Sequence, residues 1–513
     1  MSTYDVIIIG SGIGGLTCGA FLAKHGKKVL ILEHHHKPGG AVTSFSRQGF
    51  LFDIPSAVGS MSREFSSGKI LAKLGIFDKV DFIRLDRLFR FHYPDLTVDC
   101  HADADRYHAE LTSLFPAERR GLDRYFALMR SLMAELKRCY YAPQWWQVLL
   151  YPVRIPLLVR YQGASYQDLL DSLFRDKRLK AILSGGWEYL GMCPDRLSAL
   201  YMLFMYQSYI GEGTFTPRGG FQALAEAFAE VFTAHGGELR LNALVERITL
   251  SGGRASGVQL DSGEHLAGWV VVSNADVKRT FFDLIGQDQM SRRLARRVEN
   301  IEMSGSAVTA HLGVRMHIPE SFNCGTVIYY PLWDAASASW EAFARNRVVT
   351  DLGKKVIGIE VRTLADPGLA PSGCHSVRIT QMPVPYRYRD NWLQNDRHAY
   401  RDLKRELLDN LTAAAEQVLP GLSDNILVSD LSTPRTYERY LRSTEGNVYD
   451  AACTPDQVLL RRMPSRTAIP GLYLTGAKSF PGHGIVSAMQ SGAFTADMLL
   501  EKRLLNGRYF FPE

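Results

Sequence analysis

Apolar residues near the start of the chain come in short unbroken runs. Val6–Ile9 is the first, and Val29–Leu32 is the second. Between them a largely apolar stretch extends to about His25 and stops at Gly26. Short continuous apolar runs bounded by turn residues predict strands buried on both faces, as in a parallel sheet. A glycine just past a helical stretch marks its C-terminal end. The prediction is strand, helix, strand. Two further segments read the same way. Residues 216–250 predict an amphipathic helix opening after Gly219-Gly220, a turn at Gly236-Gly237, and a strand containing Val245. From there a β-meander turns at Ser251–Gly253 and Asp261–Gly263 and closes on the apolar strand of "VVVSNAD". Leu472–Thr475 predict a last strand, ended by Gly476 and followed by a helix from near Gly484.

The first strand–helix junction carries chemistry. Gly10, Gly12 and Gly15 give G-x-G-x-x-G, with Ser11 and Gly14 between them, and Glu33 ends the second strand. Glycines let the backbone approach a pyrophosphate whose charge meets the helix N-terminus, and the acid accepts from ribose hydroxyls. The fold class is therefore α/β, with a Rossmann-type dinucleotide-binding domain and an α+β second domain. Residues 1–60, 216–276 and 466–513 carry the predicted elements and are joined by two long stretches, 61–215 and 277–465.

Glu33 is followed by His34, His35 and His36. Metal-binding histidines on one helical face are spaced i, i+4, whereas neighbours on an extended loop alternate in direction. No functional metal is expected. His34 is placed near the nucleotide and the other two in water.

At 513 residues the chain can bury a large core. A net charge of +6, from 59 basic and 53 acidic residues, is too mild to argue for nucleic acid. Seven scattered cysteines without a Cys-x-x-Cys pair read as reduced thiols of a cytoplasmic protein. No signal peptide and no stretch long enough to span a membrane is visible.

The double glycine Gly39-Gly40 and the downstream Gly49, Phe50, Phe52 and Asp53 complete a longer pattern. With it the chain resembles the flavin-binding amine oxidase and phytoene desaturase superfamily. The resemblance implies FAD, held by Gly10, Ser11, Gly12, Gly14, Gly15, Glu33, His34, Gly39, Gly40, Ala41 and Val42, with Val245 at the adenine. It also places Gly476 and the helix start at Gly484, Ile485 and Val486 against the flavin ring. The same resemblance implies that 1–60, 216–276 and 466–513 form one binding domain and 61–215 and 277–465 a substrate-binding domain. Two departures stand out: Ala41 replaces a frequent arginine, and Pro55 a frequent glycine. No cysteine suggests a covalent flavin link. With one dinucleotide fingerprint only, the electron partner is expected to be the substrate, a quinone or oxygen.

"FPAERRGLDRYFALM" (115–129) and "KSFPGHG" (478–484) resemble stretches of carotenoid cis–trans isomerases and retinol saturases. The implied activity is oxidation, saturation or isomerisation at C–C bonds of a hydrophobic polyene or isoprenoid. His483 is the candidate catalytic residue, as the titratable side chain of the "PGHG" turn. The aromatic and methionine residues of 197–211 read as core or as a substrate wall. Residues 139–161 hold Tyr140, Tyr141, Trp145, Trp146 and Tyr151 between Arg138 and Arg154, with Pro152 and Pro156 breaking the helix. That mixture fits either a core helix or a peripheral patch on a membrane surface. Two alternatives stay open. One is a flavin oxidase of amines or porphyrinogens; the other is an isoprenoid-binding protein of the same fold without flavin chemistry, as Rab escort proteins are.

Overall fold

The computed structural model describes residues 3–139, 151–393 and 395–500. Most of the aromatic patch, including Tyr140, Tyr141, Trp145 and Trp146, lies outside the described residues.

Two large sheets organise the chain. The first has a parallel centre in the order Glu238–Arg240, Val29–Leu32, Tyr4–Ile9, His265–Ser273, with Leu472–Leu474 running parallel on the far side of His265–Ser273. The register sets Val6 against Val29 and Ile7 against Val271. The continuous apolar run of the first strand is explained by cover on both faces. Val6 and Ile8 join Leu16, Phe228 and Met489 under the helices Ile13–Lys24, Phe221–Ala234 and Ile485–Leu499. Ile7 and Ile9 meet Val245, Phe281 and Leu472 on the other face. The predicted meander is present, with Val245–Ser251 and Arg254–Leu260 antiparallel to one another and to the start of His265–Ser273.

The second sheet has seven strands, in the order Ile426–Ser432, Ser306–Val314, His375–Val384, Ile357–Glu360, Thr326–Tyr329, Arg87–Tyr93, Leu96–His101. Its pairs are antiparallel except Thr326–Tyr329 with Arg87–Tyr93. Leu403, Leu407 and Leu411, four residues apart on the helix Arg397–Ala415, pack with Leu312, Ile359 and Val377 of this sheet. A helical layer built from Arg119–Cys139, Tyr166–Leu173 and Ala199–Tyr206 closes over Phe89 and Phe91. No described helix is long and apolar enough to cross a membrane.

Helix Ile13–Lys24 crosses helix Ile485–Leu499 backbone against backbone because both present glycine. A Cβ on Gly14 would stand 2.7 Å from Gly476 Cα, and one on Gly492 would stand 2.3 Å from Gly14 O. Side chains there would push the chain's first and last segments apart. The shared boundary of these segments is where the site forms.

Candidate functional site

One cavity of about 820 Å³ runs along the carboxyl ends of the parallel strands and on between the two sheets. That is near the upper end of the usual range for small-molecule and cofactor sites. Its wall includes Gly10, Gly12, Gly14, Glu33, His34, Gly39, Gly40, Ala41, Val42, Val245, Gly476, His483, Gly484, Ile485 and Val486. Residues more than 450 positions apart thus reach one space.

Two of the sequence candidates do not line it. Gly15 is a packing glycine: its Cβ would lie 2.3 Å from Gly10 O, so the tight turn excludes any side chain. Ser11 is fully buried and serves Glu33 instead. Its backbone N–H and hydroxyl both donate to Glu33 Oε2, at 2.8 and 2.7 Å. Glu33 Oε1 accepts from the His35 N–H at 2.9 Å. The carboxylate is thereby fixed at the end of its strand, with Oε1 the less heavily used oxygen. The second glycine pair docks on the first loop, Gly39 N–H donating to Ser11 O at 3.0 Å, so both loops act as one cradle.

Sequence reasoning missed Asn274 as a site residue, although the "VVVSNAD" string contains it. With its amide oriented to satisfy both neighbours, its oxygen accepts from Gly12 N–H and its NH₂ donates to Thr475 O, each at 3.2 Å. A residue of the middle segment thus ties the glycine loop to the last strand. The cavity-lining loop 54–56, where Pro55 stands, is pinned from the second sheet. Arg378 donates to the Ile54 carbonyl and to the Ser56 hydroxyl, and pairs with Glu360 at 2.6 Å.

The three histidines diverge. His34 Nε2 lies 3.6 Å from Glu33 Oε1, and burial lowers its pKa. His35 stacks on His36 at 4.2 Å, and His36 is exposed. Replacing all three by alanine is expected to leave bound metal and any metal response unchanged, with at most a modest loss of FAD affinity through His34. Elemental analysis of untagged protein checks this; metal lost together with activity in the triple variant would refute it.

His483 is buried, not solvent-facing. Its ring stacks on Tyr449 with centroids 4.4 Å apart, and its carbonyl accepts from Tyr201 Oη at 2.8 Å. Burial, and then the charge of Arg462, hold the imidazole well below its ordinary pKa, so it is neutral near pH 7.

The other half of the cavity is aromatic and aliphatic. Tyr201, Phe204, Met205 and Tyr209 from the 197–211 stretch line it, with Met133, Leu136, Ile328 and Val356. That stretch is both core and wall. Its helix ends in a wide turn, Gln207–Gly211, that sets Ser208 and Tyr209 on the cavity.

A fused glycine cradle, an acid fixed beside it, and a helix N-terminus opening at Gly484 define the molecule as a dinucleotide-binding protein whose cofactor meets an apolar chamber. The profile of the family described as flavin containing amine oxidoreductase matches residues 13–500, and the chain belongs to that family. It is an FAD-dependent oxidoreductase. It is 28% identical over 522 residues to prolycopene isomerase 1, chloroplastic, of an Oncidium hybrid cultivar, covering 98% of this chain and 85% of the relative. With the lycopene-forming phytoene desaturase of Pseudescherichia vulneris it shares 27% identity over 509 residues, covering 96% and 99%. The fold is also that of an oxidoreductase from Methanosarcina mazei, with a TM-score of 0.65, 18% identity, and coverage of 96% and 99%.

The residues present fit the cofactor. The glycine cradle and the fixed Glu33 carboxylate would suit the nucleotide half of FAD, and a Cβ added at Gly484 would meet nothing within 4 Å, so the helix start stands open.

Proposed function

We propose that the protein acts on C–C bonds of a hydrophobic polyene or isoprenoid, by desaturation, saturation or cis–trans isomerisation. The observation that carries this reading is the continuity of the cavity from the glycine cradle to the wall of Tyr201, Phe204, Met205 and Tyr209. A long apolar substrate can lie along that wall with one bond at the cofactor. The curated relatives named for polyene substrates match essentially the whole chain, which supports the same choice.

The polar groups of the wall argue against an amine substrate. Burial pushes Glu188 up to about 8, so it is mostly protonated at neutral pH. Glu212 accepts from the Ser60 hydroxyl, and Glu360 pairs with Arg362 and Arg378. An ammonium would find these acids neutral or already engaged.

In this reading the first cradle (Gly10, Gly12, Gly14) and the second (Gly39, Gly40, Ala41, Val42) hold the diphosphate. Glu33 and His34 hold the ribose side, and Val245 meets the adenine. Gly476, Gly484, Ile485 and Val486 face the ring. The binding domain is assigned to 1–60, 216–276 and 466–513 and the substrate enclosure to 61–215 and 277–465. Ile70, Leu71 and Leu74, and Phe281, Leu294 and Val298, nevertheless pack in the binding domain's cores, so that domain reaches into both insertions. FAD supplies hydride exchange. The chain orients the polyene, excludes water from the apolar half, and offers a proton site at His483. Because its protonated form is disfavoured, a neutral imidazole there would pass on, not keep, the proton that leaves in the oxidative direction.

Anaerobic mixing with candidate polyenes, following flavin absorbance and product together, tests the proposal. Bleaching with a more unsaturated product marks a desaturase. A new geometric isomer with no net bleaching marks an isomerase. No product from any polyene, with turnover of an amine, sinks it. His483→Gln is expected to keep its FAD and lose about 100-fold in turnover, the low end for a positioned acid or base. Turnover within twofold of the parent would remove His483 from the chemistry.

A further inference from the structure

The cavity wall contains a cation with no partner. Lys478 lies on the turn between Leu472–Leu474 and the helix Ile485–Leu499, is 3% exposed, and lines the cavity. Among the described residues its ammonium makes no hydrogen bond and no ion pair; its only couplings are through-space, to Asp450 and Asp276.

Both carboxylates are committed elsewhere. Asp276 accepts from Thr444 N–H at 2.9 Å, Thr444 Oγ1 at 2.7 Å and Asn447 Nδ2 at 3.0 Å, and from the Lys278 and Arg279 N–H groups at 2.9 and 3.1 Å. Asp450 accepts from Val277 N–H at 3.2 Å and Ala451 N–H at 2.9 Å. Arg462, a second buried cation here, is held by carbonyls through its terminal nitrogens, donating to Ala477 O at 2.9 Å and Ala451 O at 3.0 Å, while its Nε has no partner. Arg462 is thus anchored, whereas the Lys478 ammonium makes no hydrogen bond among the described residues. Burying an ammonium without a partner is costly, and burial does lower the pKa of Lys478 while it raises that of Asp450. A ligand that brings negative charge into the cavity removes that cost.

The place of Lys478 says which charge. Gly476, two residues before it, abuts Gly14 of the phosphate loop; Gly484, six residues after it, opens the helix assigned to the flavin ring. The diphosphate already has the helix N-terminus at Ile13 and its glycines. We propose that Lys478 is the counter-cation of the flavin ring, favouring the negatively charged reduced form over the neutral oxidised one. It therefore sets the flavin's reduction potential and, with it, the direction in which the enzyme runs. This rests on the family assignment of FAD and on the ring placement above.

The test uses FAD-loaded protein and a spectroelectrochemical titration at about pH 7, where the lysine is charged. Lys478→Met is expected to lower the ratio of reduced to oxidised flavin affinity at least tenfold, equivalent to about 30 mV off a two-electron potential. Lys478→Arg keeps a cation at this position and is expected to hold the parent potential. General damage to the site would shift both variants alike. ADP, which carries the diphosphate but no ring, is expected to compete equally well against parent and Lys478→Met. If the Met variant weakens ADP and FAD together while the potential stays put, Lys478 serves the diphosphate and the proposal is wrong. If Lys478→Met does not fold, Lys478→Arg and Lys478→Gln decide it: the first holds the parent potential and the second lowers it, and any other pattern overturns the proposal. A parent protein that takes up no FAD fails at the cofactor assignment instead, which separates the two.

Discussion

Protein carrying Gly14→Val is expected to emerge colourless from desalting, without FAD, and to melt well below the parent. Gly14 is where the chain's first and last segments touch. Its Cβ would fall 2.7 Å from Gly476 Cα, 2.9 Å from Gly476 N and 3.1 Å from Ala488 O. These are backbone atoms and cannot swing aside as a side-chain tip can. Overpacking of this kind costs about 1–3 kcal/mol in an ordinary core. Here it also displaces Gly476 and the helix start that form the ring side of the site, so cofactor loss is expected to exceed stability loss. Gly163→Ala, with nothing within 4 Å of the added Cβ, is the control and is expected to behave as the parent. Glu33→Ala gives a graded version. Losing one charge-assisted hydrogen bond to ribose costs roughly 1.5–3 kcal/mol, and the freed Ser11 N–H and hydroxyl loosen the cradle further. Flavin absorbance after desalting and a thermal melt read both variants. A Gly14→Val protein that keeps its FAD would mean that the segments do not meet as described.

The parts of this site that were legible in sequence are those governed by local rules. A strand, G-x-G-x-x-G, a helix, a second strand and Glu33 lie within 33 residues, and each constrains the next. Val245 and Gly484 are recognisable because they open or follow elements of the same alternation. Lys478, Asp276 and Asp450 were not legible, because their roles exist only where segments about 170 residues apart come together at Asp276 and Thr444. The order of the second sheet was hidden for the same reason: His375–Val384 sits between Ser306–Val314 and Ile357–Glu360, an arrangement that no local period encodes. Ser11 shows the opposite failure. Its place inside the motif suggested contact with cofactor, whereas packing turned it toward Glu33. The wide turns Gln207–Gly211 and Arg279–Ile285 add a residue to each helical turn and redirect side chains to the cavity, a shift that helical periodicity cannot anticipate.

Mutation of the surface helices near residue 150 is expected to uncouple the enzyme from membranes before it affects the flavin. A polyene of the proposed kind is nearly insoluble in water, so it has to be drawn from a bilayer. The proposed contact is the pair of short helices Tyr151–Arg154 and Pro156–Tyr161, where Val153 is 81% exposed and Val159 41%, next to Arg154 and Arg160. Beneath them a small pocket lined by Tyr151, Ile155, Leu158 and Phe480 shares Leu136 and Leu459 with the main cavity. Those two side chains line both spaces. Glu135 anchors the second helix by accepting from the Leu158 N–H at 2.9 Å, so the patch is attached to the same helix that carries Leu136. Val153→Asp, alone or with Trp145→Ser and Trp146→Ser, is expected to lower both vesicle binding and turnover of vesicle-held polyene. Turnover of detergent-dispersed polyene and FAD content should stay near the parent. Arg160→Gln is expected to weaken binding about fivefold on anionic vesicles, from the roughly 1 kcal/mol that one basic residue contributes at such a surface, and not at all on neutral ones. Co-sedimentation with vesicles of both compositions, at low and high salt, measures each effect. If Val153→Asp leaves vesicle binding intact, the patch is not the membrane contact.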